Sequence, residues 1–225
     1  MVAVAANFAA PAKEIKAAFE QAGGHRVVIV LGSTGSLYAQ VRNGAPFHLL
    51  LAADDTTPRK LEAEGRAVQG TRSTYAMGRI ALWSATPGRI DGRAEALRNG
   101  TFRRIAIANP ALAPYGSAAL QVLERMDLMP ALRTRLVLGE SVGQAYQFAA
   151  SGNADAGFVA LGQVMRGGRI TSGSAWVVPE SMHDSIRQDA VLLMPGRHLE
   201  GARAFLAFLG GPAARAIMRE HGYSH

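Results

Sequence analysis

The stretch Val27-Val28-Ile29-Val30, then Gly32-Ser33-Thr34-Gly35-Ser36, then Leu37-Tyr38-Ala39-Gln40-Val41 restricts this chain more than any other. A β-branched run, a cluster of small hydroxyl and glycine residues, and an apolar pattern at helical spacing spell strand, tight turn and helix N-terminus. The order recurs: Val2 to Ala6 ends at Asn7, ahead of a helical face of Pro11, Ile15, Ala18 and Phe19 that stops at Gly23-Gly24. The second helix is expected to end near Asn43-Gly44, and Phe47 to Ala52 reads as a third strand. Thr57 before Pro58 reads as the N-cap of a third helix with proline at its first position. Elements alternating at these lengths require an α/β fold, because parallel strands need crossover helices that cover both faces of their sheet.

The second half repeats the theme after a change of character at Tyr75. Ile80-Ala81-Leu82-Trp83 reads as a strand, followed by a loop-rich passage through Pro87, Gly88, Gly92 and Gly100. Arg104 to Ala108 and Leu136 to Leu138 are further strands, each leading through a small-residue turn into a helix, at Tyr115-Gly116-Ser117 and at Ser141-Val142-Gly143. Gly157 to Leu161, Ser174 to Val178 and Gln188 to Met194 complete the strands, and helices at Gly201 to Gly210 and Pro212 to His221 close the chain. The pattern divides into a first lobe of residues 1–79 and 192–225 and a second lobe of residues 80–191, with the terminal helices returning to the first.

Composition removes several function classes. Cysteine is absent among the 225 residues, which excludes disulfides, thiolate catalysis and Cys-based metal sites. The formal charge of +7 raises the question of nucleic acid. The arginines are scattered singly apart from Arg103-Arg104, with no aromatic residues interleaved as a stacking platform, so a solvated basic surface is the expectation. No run approaches the length of a membrane span. The N-terminus lacks the basic region of a signal peptide, so either the chain is cytoplasmic or a leader has been replaced by Met1.

Enzyme signatures are poor. The Gly32-to-Ser36 turn lacks the spacing of a nucleophile elbow, no phosphate loop or dinucleotide fingerprint occurs, and a hydrolase using Ser33 would lack a base. His183-Asp184 resembles half of a triad but is expected in an exposed loop with no nucleophile. His221 and His225 have metal-ligand spacing, yet Gly222 interrupts the helix between them. A transcription regulator's effector domain would be joined to a helix-turn-helix, which this chain does not show.

Four loop-to-helix turns remain, at Asn7, Ser33-Thr34, Tyr115-Gly116-Ser117 and Ser141-Val142, two in each lobe. The first N–H groups of a helix have no internal partner and carry the positive end of its dipole, so each turn is either a simple cap or a seat for a negative oxygen. Donors of this neutral kind, converging from two lobes, suit a fully ionised tetrahedral oxyanion.

Ala5-Ala6-Asn7-Phe8, Gly32-Ser33-Thr34-Gly35-Ser36, Asn43-Gly44-Ala45-Pro46, Ala52-Ala53-Asp54, Asn109-Pro110 with Ala113-Pro114-Tyr115-Gly116, and Gly157-Phe158-Val159 resemble, in order and over nearly the whole chain, the periplasmic molybdate-binding proteins of ABC transporters. The resemblance implies a two-lobed type II periplasmic binding fold, each lobe a mostly parallel sheet flanked by helices. It implies a monomer that closes on molybdate or tungstate, without cofactor, catalysis or nucleic acid, and delivers the anion to a membrane permease. The family positions that hold the anion fall on Asn7, Thr34, the phenol of Tyr115 and the backbone N–H of Val142, with Ser33 the alternative hydroxyl should Thr34 only cap its helix. Many members carry a ligand-binding Tyr where this chain has Ala160, so the phenol is expected from another loop. The nearest alternative is the same device for another oxyanion such as sulfate.

Overall fold

The computed structural model describes residues 1–23, 25–99 and 102–224; the expectations touching Gly24, Gly100 and His225 lie outside the described residues. Twelve strands are present among them: β1 Val2–Ala5, β2 Ile29–Gly32, β3 Leu49–Leu51, β4 Ser73–Gly78, β5 Ile80–Ser84, β6 Ile105–Ala108, β7 Leu136–Gly139, β8 Ala156–Ala160, β9 Met165–Arg166, β10 Arg169–Ile170, β11 Ser174–Val177 and β12 Ile186–Leu192. The helices are α1 Ala9–Gly23, α2 Thr34–Arg42, α3 Thr56–Ala63, α4 Glu95–Arg98, α5 Pro114–Arg125, α6 Met129–Leu132, α7 Val142–Ala150, α8 Leu161–Val164, α9 Glu200–Leu209 and α10 Pro212–Glu220.

The strands form two five-stranded sheets of one design, ordered β2-β1-β3-β12-β4 and β7-β6-β8-β5-β11, beside the small β9–β10 hairpin. In each sheet three consecutive members pair in parallel, and the fourth runs against both of its neighbours. The opposed strand is in each case the first one laid down after the chain crosses over, β5 in the second sheet and β12 in the first. Helices cover both faces, because buried strands alternate their side chains between two cores. Leu49 and Leu51 face Phe8, Ile15, Phe19, Phe205 and Met218, while Leu50 between them faces Leu37, Leu61 and Val191. Burying each such leucine contributes about 1.5–3 kcal/mol.

Several expectations change. The second crossing precedes Ile186, since β12 pairs with β3 and β4 of the first sheet, so the boundary expected at residues 191 and 192 moves to the segment after Val177. β4, read in the sequence only as a change of character, is a strand because β12 supplies its partner from more than a hundred residues away. β2 begins at Ile29, as the N–H of Val27 is taken by the Glu20 carboxylate at 2.6 Å. Thr57 does not cap α3: the helix begins two residues earlier, at Thr56 after Asp55, and the Asp54 carboxylate accepts from the Thr57 N–H at 2.7 Å.

Candidate oxyanion site between the lobes

The four turns stand at the carboxyl ends of β1, β2, β6 and β7, the place where open α/β sheets bind ligands. Asn7 lies in a 3-10 turn, Ala6–Phe8, between β1 and α1. Thr34 opens α2, Tyr115 follows Pro114 in the first turn of α5, and Val142 opens α7. All four are buried. No carbonyl of the same helix reaches the N–H groups of Thr34, Tyr115 and Val142, which are the open donors of three helix ends.

Serine does the capping at two of these ends. Ser33 Oγ accepts from Ser36 N at 3.2 Å and Ser141 Oγ from Gln144 N at 3.3 Å. Thr34 is thereby released from capping. Its Oγ1 accepts from Ala53 N at 3.0 Å, which fixes the rotamer and frees the hydroxyl proton to be donated elsewhere. Ser33, and not Thr34, is the residue that caps α2.

Three contacts bring the turns of the two lobes together. Gly35 N donates to Leu112 O at 2.9 Å, joining the first turn of α2 to the loop before α5. At Gly143 a Cβ would come within 3.2 Å of the Ala6 methyl, so the first turn of α7 abuts the turn that holds Asn7. The third contact is the side chain of Gln188 on β12, fully buried, whose Oε1 accepts from Asn7 Nδ2 at 2.7 Å and whose Nε2 donates to the Tyr115 hydroxyl at 3.4 Å. A cleft of about 570 Å³ between Ala53, Gly35, Leu112, Pro114 and Ile186 opens on one side of the turns, and another of about 400 Å³ between Ala6, Gly32, Ser141 and Gly143 on the other.

The Tyr115 phenol is turned inward. Besides accepting from Gln188 it is hydrogen-bonded to Tyr223, whose own hydroxyl donates to the Asn7 carbonyl at 2.8 Å. Tyr75 completes the cluster, 3.1 Å from Gln188 Oε1 and 3.0 Å from the Ala52 carbonyl. Burial raises the pKa of Tyr75, Tyr115 and Tyr223 alike, so all three stay neutral. The Tyr115 hydroxyl is thus bonded within the protein, to Gln188 and Tyr223, and the open donor of Tyr115 is its main-chain N–H. Gln188, Tyr75 and Tyr223 were missed in the sequence. The polar trio Arg187-Gln188-Asp189 inside an otherwise apolar strand was the available signal, since buried polar groups need partners.

Other candidates separate from this site. His183 is buried rather than exposed, with Nδ1 at 2.7 Å from the Asp184 carbonyl and no hydrogen-bond partner at Nε2, so no nucleophile stands before it. His221 bonds Glu14 Oε1 at 3.0 Å and also Arg166, an ion-pair cluster instead of a metal site. Among the described residues no group of three or more His, Asp or Glu could hold a metal ion, and no helix is long and apolar enough to cross a membrane.

The sequence matches the family of bacterial extracellular solute-binding proteins over residues 1–224. It is 50% identical over 222 residues to the molybdate-binding protein ModA of Azotobacter vinelandii, covering 99% of this chain and 88% of that one. It is 46% identical over 223 residues to the molybdate-binding protein ModA of Rhodobacter capsulatus, covering 99% and 87%. The chain belongs to the molybdate-binding proteins of this solute-binding family. The solved structure of the Azotobacter vinelandii periplasmic molybdate-binding protein superposes with a TM-score of 0.96 at 41% identity, covering 100% of this chain and 98% of that one. The two-lobed periplasmic binding fold expected from the sequence is thus the fold of the family.

Proposed function

We propose that this protein captures molybdate between its lobes and delivers it to the membrane permease of an ABC importer, acting as a monomeric periplasmic binding protein and not as an enzyme. The observation that carries the reading is the set of buried turns from two lobes whose donors bear no formal charge. A tetrahedral dianion offers acceptors on every oxygen, so main-chain N–H groups at Asn7, Thr34, Tyr115 and Val142, the Thr34 hydroxyl and the Asn7 amide satisfy it without burying an unpaired cation. Tungstate has the same shape and charge and is held alike. The relatives named above, molybdate-binding by their own description, support the choice among oxyanions.

A thermal-shift panel of molybdate, tungstate, sulfate and phosphate tests this. Ligand at about 1,000 times its dissociation constant adds roughly 4 kcal/mol of stability, a clear rise in melting temperature. Molybdate and tungstate are expected to give that rise, and an equal rise with sulfate would overturn the assignment. A DNA duplex titrated alongside is expected to give no signal.

A further inference from the structure

Asn7 and Gln188 form a pair of buried amides with one atom left over. Asn7 Nδ2 donates to Gln188 Oε1 at 2.7 Å and to the Tyr223 hydroxyl at 3.3 Å, and Asn7 Oδ1 is buried without a hydrogen-bond partner. An acceptor stranded in this way is costly, and it is the wrong group to face an anion. The oxygen and nitrogen of a side-chain amide exchange places when the group turns through half a revolution, so the same geometry admits a second pattern of bonds. Turning both amides lets Gln188 Nε2 donate to Asn7 Oδ1 over the 2.7 Å contact and to the Tyr75 oxygen over the 3.1 Å contact. Tyr75 then donates to the Ala52 carbonyl at 3.0 Å, and the Tyr115 hydroxyl donates to Gln188 Oε1 over the 3.4 Å contact. The Asn7 NH2 group now occupies the position of the stranded oxygen, where a bound oxyanion is its acceptor, and the 3.3 Å bond from Asn7 to the Tyr223 hydroxyl is given up.

We infer that Gln188 is a positioning residue that sets the register of Asn7, and that an oxyanion bound as proposed above drives both amides into the register that presents the Asn7 NH2 group to it. The inference rests on that reading of the site. Gln188 acts through Asn7 and Tyr115. Only an amide serves both registers: a carboxylate at this position has acceptors alone, holds Asn7 Nδ2 inward and leaves Asn7 Oδ1 toward the anion. Because Tyr115 comes from the second lobe, its bond to Gln188 couples the turn of Asn7 to the contact between the lobes.

Titration calorimetry with molybdate on the parent, Gln188→Glu and Gln188→Met is the test, with side-chain amide resonances recorded on ¹⁵N-labelled protein. Losing a donor to a charged ligand and placing an oxygen there instead is expected to weaken binding by more than about 100-fold in Gln188→Glu, and removing the guide to weaken it about tenfold in Gln188→Met. The Asn7 NH2 resonances, assigned by their disappearance in Asn7→Asp, should shift on adding molybdate to the parent and stay still in Gln188→Glu. Gln188→Glu affinity within about threefold of the parent overturns the inference, as do unmoved Asn7 resonances in a parent that binds molybdate. Should Gln188→Glu not fold, parental affinity in Gln188→Met overturns it. A parent that fails to bind molybdate refutes the proposed function instead, so the two failures are distinguishable.

Discussion

Gly78, at the end of β4 in the first lobe, forms the notch that receives the phenol of Tyr115 from the second. A Cβ on Gly78 would collide with the Tyr115 hydroxyl and stand 2.6 Å from Gln188 Nε2. The backbone there is compatible with any residue, so the requirement for glycine is one of space between lobes. Gly78→Ala is expected to cost about 1–3 kcal/mol of stability through overpacking and to weaken molybdate binding, since the phenol must leave its seat. Denaturant unfolding and calorimetry measure the two effects.

Tyr115→Phe separates a supporting phenol from a liganding one. The substitution keeps the ring and the main-chain N–H but leaves Gln188 and Tyr223 each short of a partner. A bond to a charged ligand would be worth about 10- to 100-fold in affinity, whereas loss of a neutral bond behind the site is expected to cost no more than about tenfold, together with about 1 kcal/mol of stability. Calorimetry and urea unfolding of the same preparation give both numbers.

Acid should loosen one link between α1 and the β9–β10 hairpin. The hydrogen bond from Arg166 holds the Glu14 carboxyl below its ordinary value of 4.5, assisted by His221. A depressed carboxylate contributes stability that is fully present above its unfolded value and is lost as pH falls through the folded one. As pH falls below 4.5 the parent should therefore lose more melting temperature than Glu14→Gln, in which this titration is absent. Equal slopes across that window would remove the link from the stability of the fold.

Closure of the lobes is expected to follow ligand. The Gly35–Leu112 bond and the Tyr115–Gln188 contact both span the lobes, which the chain joins only at Arg79 and through the segment between Val177 and Ile186. Hinge bending at those crossings absorbs the change. Solution scattering should show a smaller radius of gyration with molybdate than without it, and identical curves would mean a pocket already formed.

The elements and the turns that close them are written locally in the amino-acid sequence. Hydrophobic period and small-residue turns are local properties, so the strand-turn-helix units, the α/β class and the four turns at Asn7, Thr34, Tyr115 and Val142 were legible in it. Tertiary structure alone decided what depends on partners distant in the chain. β4 has a polar start and becomes a strand because β12 lies beside it, and β12 draws the second crossing ahead of Ile186 for the same reason. The direction of the Tyr115 phenol was decided likewise, because a hydroxyl goes where buried partners await it, and Gln188 and Tyr223 stand 73 and 108 residues further along. Local chemistry sets which donors exist; the packing of two lobes sets which of them remain free.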